Sequence, residues 1–125
     1  MKVTDLDTGP ACDLAKTMLS HVGSKWSPLV VTHLAEGPLR FSDMKRALPG
    51  ISQRILTLTL REMERDGLVT RHVTPTIPPR VDYSLTDLGQ ELREAVAALG
   101  RWSLERADRI AAAQADFDRR LAEER

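Results

Sequence analysis

The stretch GPLRFSDMKRALPG (37–50), ISQRILTLTLREMERDG (51–67), LVTRHVTPTIPPRVDYSLT (68–86) decides the fold. Its first part places Phe41, Met44 and Leu48 on one side of a short helix, which Pro49-Gly50 then breaks. Ser52 has the side chain of an N-cap, and the helix it opens runs toward Gly67, a C′ glycine. On that helix Leu56, Leu60 and Met63 share one face. Arg54, Leu58, Arg61 and Arg65 share the opposite one, flanked by Thr57. Leu68 to Thr74 alternates as a strand does, and Val81 to Leu85 suits its partner. The proline-rich segment between them is too stiff for a two-residue hairpin turn and reads as a projecting tip. Two helices across a tight turn, then a hairpin with a basic tip, predict a winged helix-turn-helix, mainly α with a small β-hairpin wing.

Upstream, a helix is expected from Cys12 or Asp13 to His21, with Leu14, Met18, Leu19 and Val22 as its apolar stripe. A second runs from about Lys25 to Ala35, with Trp26, Leu29, Val30, His33 and Leu34 at helical spacing. Pro28 is tolerated in its first turn, and Glu36-Gly37-Pro38 stops it. Downstream, Thr86 caps a final helix, expected to break or bend near Gly100. Leu88, Leu92, Val96, Leu99, Trp102, Leu104, Ile110 and Phe117 extend its apolar face beyond what a small core covers. The chain thus divides into an arm (1–11), a winged-helix core (12–86) and C-terminal helices (87–125) expected to join two subunits.

A chain of 125 residues with 29% charged residues and formal net charge zero reads as one globular domain, so any nucleic-acid footprint must be local. The single cysteine excludes an intramolecular disulfide and a cysteine-based zinc finger, and the three histidines lack ligand spacing. No metal or cofactor is expected. No paired carboxylates, nucleophile–base pair or phosphate-binding glycine loop occurs in a plausible arrangement, which argues against an enzyme. No apolar run approaches the ~18 residues a membrane span needs, and the N-terminus lacks a signal core, so a cytoplasmic location is expected.

The residues quoted so far resemble the HxlR-type family of bacterial winged-helix transcription regulators, from Cys12 to about Trp102. The resemblance is carried by Cys12, Gly23-Ser24-Lys25-Trp26, Gly37-Pro38-Leu39-Arg40-Phe41-Ser42, Leu48-Pro49-Gly50-Ile51-Ser52, Leu56-Thr57, Leu60-Arg61-Glu62, Asp66-Gly67-Leu68-Val69, Pro78 to Thr86, and Leu88-Gly89. It implies homodimers joined through the first and C-terminal helices, bound to two-fold related operators on double-stranded DNA. For some members it also implies a cysteine at the position of Cys12 that reacts with oxidants or electrophiles. Two positions depart from the family pattern. Asp13 stands where proline usually follows the cysteine, and Leu58-Thr59 occupy the usually polar or basic middle of the recognition helix.

The candidate DNA contacts are Ser52, Gln53, Arg54, Thr57, Leu58, Arg61 and Arg65 on the recognition helix and Arg80 at the wing. Lys25, Arg40, Ser42 and Lys45 around them are either phosphate contacts or ordinary surface. Arginine suits both guanine readout and phosphate pairing. Leu58 either touches a thymine methyl or is simply exposed. Arg80 either enters a minor groove or pairs with Asp82. Trp26, Phe41 and Tyr83 read as core. Leu14, Met18, Leu92, Val96, Leu99 and Trp102 are the candidate dimer interface, and packing within one subunit is the alternative for Trp102. Cys12 is either a core filler or a helix-N-terminal sensing thiol. The function expected is a DNA-binding regulator, a repressor. The alternatives are a protein-binding winged-helix module and a regulator governed by a non-covalent effector.

Overall fold

The computed structural model describes residues 9–125. Six helices and three short strands follow in the order α1 (Pro10–Gly23), α2 (Ser27–Leu34), β1 (Leu39–Arg40), α3 (Phe41–Ala47), α4 (Gln53–Arg65), β2 (Val69–Thr74), β3 (Arg80–Leu85), α5 (Asp87–Glu105) and α6 (Ala107–Glu123). This is a winged helix-turn-helix. α3 and α4 form the helix-turn-helix, and β2–β3 form the wing.

The local signals act as their chemistry requires. Ser52 Oγ accepts the Ile55 N–H at 3.1 Å, and Thr86 Oγ1 accepts the Gly89 N–H at 3.0 Å, so each opens its helix as an N-cap. Gly67 takes φ 78 beyond the last turn of α4, and the Leu68 N–H reaches back to the Met63 carbonyl at 2.9 Å. The core lies between α2, α3, α4 and the sheet. Val30, Val31, Leu34, Met44, Leu48, Leu56, Leu60, Met63, Leu68, Val69 and Tyr83 are buried there, with Trp26 and Phe41 packed against them. Burying Leu56, Leu60 and Met63 contributes roughly 1.5–3 kcal/mol each and sets which face of α4 looks outward.

The sheet order is β1-β3-β2, all antiparallel, with Val69 opposite Leu85 and Thr74 opposite Arg80. β1 is absent from the sequence reading. Its two residues pair Leu39 with Tyr83 and Arg40 with Asp82, too short a run to show any alternation.

Other boundaries differ from expectation. α1 starts at Pro10, because proline is favourable in a first turn, so the expected arm overlaps the helix at residues 10–11. The rest of that arm, residues 1–8, lies outside the described residues. The expected break near Gly100 is not there. α5 runs through it and ends at Glu105, and Arg106 (φ −114, ψ 10) separates it from α6. A glycine costs a helix only about 1 kcal/mol and does not by itself interrupt one. On α1 the buried residues are Cys12 and His21, while Leu14 and Leu19 face outward.

Candidate nucleic-acid interface

α4 buries one side and presents Gln53, Arg54, Thr57, Leu58 and Arg61 on the other, where they line a shallow recess. Leu58 is 49% exposed among them. Beside this face, α4 and the wing enclose an open cleft of about 520 Å³. Four arginines from four elements line it: Arg40 from β1, Arg61 from α4, Arg71 from β2 and Arg80 from β3. Ser42 and Thr57 add hydroxyls, and Glu64 is the carboxylate at its wall.

The arginines are not equivalent. Arg80 Nε lies 3.1 Å from Asp82 Oδ2 and 3.3 Å from Oδ1. That ion pair is the alternative considered for it in the sequence. Arg40, Arg54, Arg61 and Arg71 enter no ion pair among the described residues.

The remaining candidates are distributed differently. Ser52 spends one lone pair on its cap and keeps its hydroxyl proton for donation. Arg65 stands apart from Arg54 and Arg61. It lines a polar hollow with Thr17, Ser20, His21 and Glu62, and its Nη1 lies 3.5 Å from Asp66 Oδ1. Lys25 sits over the Trp26 ring at 4.9 Å, and neither it nor Lys45 lines the cleft. Arg71 is the cleft arginine that the sequence reading does not nominate. The available signal is its parity with Val69 and Val73 on the same strand face.

Cys12 is 6% exposed in the first turn of α1, its N–H bonded to the Gly9 carbonyl at 3.1 Å. Of the six residues read as a dimer interface, Met18, Leu92 and Val96 pack against their own subunit's core. Leu14, Leu99 and Trp102 stay outside it, the last with the Arg106 guanidinium 5.2 Å from its ring. No helix among the described residues is long and apolar enough to cross a membrane.

A helix-turn-helix, a two-stranded wing and an arginine-lined cleft beside them define a regulator of helix-turn-helix type. The chain belongs to the HxlR-like helix-turn-helix family, whose sequence profile matches residues 21–111. It is 43% identical over 88 residues to the HTH-type transcriptional regulator YtfH of Escherichia coli (strain K12), covering 70% of each chain. Among solved structures it is similar to the transcriptional regulator ytfH from Salmonella typhimurium, with 37% identity and TM-score 0.73, covering 80% of this chain and 89% of that one. It is also similar to the redox regulator HypR in its reduced form, with 38% identity and TM-score 0.72, covering 78% and 97%. These relatives are transcriptional regulators, which are not enzymes.

Proposed function

We propose that the protein is a homodimeric repressor that binds a two-fold related operator on double-stranded DNA. α4 enters the major groove, and the wing cleft holds the adjacent backbone. The observation that carries this reading is the convergence of Arg40, Arg61 and Arg71, none of them ion-paired among the described residues, beside the exposed Arg54. Like charges gathered on one face repel one another, and a polyanion relieves that repulsion. Gln53, Arg54, Thr57, Leu58 and Arg61 are assigned to the bases. Arg40, Ser42, Arg71 and Arg80 are assigned to phosphates. A purely protein-binding winged helix has no need of this charge.

The dimer is assigned to the outward sides of α1 and α5, in keeping with the exposure of Leu14, Leu99 and Trp102. The signal is assigned to Cys12, supported by the similarity to HypR, a redox regulator. With one cysteine per chain, oxidation joins Cys12 to a small thiol or to a second copy of Cys12. Two thiols give up two protons and two electrons to an oxidant such as diamide, and one S–S bond forms. Cys12 is buried, whereas a reactive thiol is partly exposed, so a regulator answering a non-covalent effector is the alternative.

A gel shift on DNA flanking the protein's own gene, with and without diamide, tests both assignments. Retardation that weakens with salt is expected, altered by diamide in the wild type and not in Cys12→Ala. Absence of a shift sinks the DNA reading. A shift indifferent to diamide sinks the thiol reading alone and leaves the non-covalent effector.

A further inference from the structure

Outside the cleft, a buried polar group, His21, lies in the last turn of α1. It is 6% exposed, with Nε2 at 2.6 Å from Asp66 Oδ2 and Nδ1 at 3.3 Å from Ser27 Oγ. Asp66 is the C-cap of α4, and its N–H bonds the Glu62 carbonyl. Ser27 opens α2, and its N–H bonds Ser24 Oγ, which in turn donates to the His21 carbonyl at 3.0 Å. One imidazole therefore stands where α1, α2 and the end of α4 meet.

We propose that His21 is a positioning residue for DNA recognition, fixing the C-terminal end of the recognition helix to α1 through Asp66. The proposal rests on the DNA-binding reading above. The apolar contacts of Leu56, Leu60 and Met63 set how deeply α4 sits, but hydrophobic contact is non-directional and tolerates a pivot. A short hydrogen bond at the end of the helix has a preferred angle and resists that pivot. α1 meets the body through buried Cys12 and His21 and through Met18, and among these the His21 bond is the directional one that joins α1 to the end of α4. Any displacement of α1 reaches α4 through it. Specific binding needs two recognition helices at one spacing and angle, whereas non-specific binding needs only their charge. Loss of the tie should therefore erode selectivity more than overall affinity.

The test uses the full-length protein and a duplex that the wild type selects from a random-sequence pool, compared with an unrelated duplex of equal length. Circular dichroism and sedimentation first establish that each variant is folded and assembled as the wild type at the assay temperature. His21→Leu should lower the preference for the selected duplex about tenfold while non-specific affinity holds. His21→Gln keeps a donor toward Asp66 and should retain most of the preference, and Asp66→Asn should stay within about twofold of wild type. His21→Leu/Asp66→Leu leaves no orphaned carboxylate. It should be no less selective than His21→Leu, and it substitutes for that variant if it does not fold. A merely structural role would lower the melting temperature and leave the preference of the folded protein unchanged, and that result overturns the proposal. A wild type that selects no sequence overturns the DNA-binding reading itself.

Discussion

Replacing Asp82 with asparagine should strengthen DNA binding. Arg80 reaches the cleft already paired to Asp82, the two side chains 48% and 21% exposed. An ion pair this open to solvent is worth about 0.2–1 kcal/mol. To meet a phosphate, Arg80 must give up that interaction and bring a carboxylate close to the same phosphate. Asp82→Asn removes both penalties. With two wings in the proposed dimer the gain is about 0.4–2 kcal/mol, or roughly two- to thirtyfold in affinity. If each freed Arg80 neutralises one further phosphate, the slope of log affinity against log salt steepens by about 0.9 per subunit. Anisotropy of a labelled duplex, titrated at several salt concentrations, measures both quantities. Arg80→Ala/Asp82→Asn is the control, and in it the gain should shrink, because no guanidinium remains to be released. An Asp82→Asn protein with wild-type affinity and slope would show that the tip of the wing does not meet the backbone.

Arg71→Ala should weaken binding to specific and unrelated duplexes alike and flatten the salt slope by about 0.9 per subunit, and an unchanged slope would remove Arg71 from the interface. Gly89→Ala should cost about 1–3 kcal/mol in urea melts. The added Cβ would collide with the Leu68 carbonyl oxygen and press on the Leu85 side chain, so a wild-type midpoint would mean that α5 shifts freely. Leu99→Asp places a charge beside Trp102 on the outward face of α5 and should yield monomers in sedimentation at concentrations where the wild type is dimeric. Persistence of the dimer would place the interface elsewhere.

The recognition helix was legible because its signals are local and agree. The apolar residues recur at 3.6 spacing, a serine caps one end and a glycine closes the other. Contacts distant in sequence were not. His21 and Asp66 stand 45 positions apart, and a lone histidine in an apolar stripe carries no mark of its partner. β1 escaped notice because two residues have no period. Leu92, Val96 and Trp102 share one apolar face in the sequence, yet Leu92 and Val96 pack on the core and Trp102 does not. Periodicity identifies a face but not how far along the helix the core reaches. The arginines on α4 were legible as exposed, whereas their grouping with Arg40 and Arg71 depends on how the sheet is ordered.

α6 has no buried residue, and Ile110, Phe117 and Leu121 all stand open to solvent. A helix of 17 residues that buries none of them draws little stability from packing, and the Asp116 pairs with Arg119 and Arg120 add little on an exposed face. If the proposed dimer covers it, its persistence becomes a matter of mass action, gained on assembly and lost on dilution. Amide exchange in α6 should accelerate as the protein is diluted, while exchange in α4 holds steady. In a cell the same dependence would make solitary subunits the ones that proteases reach first, so that the amount of regulator is trimmed toward what is assembled.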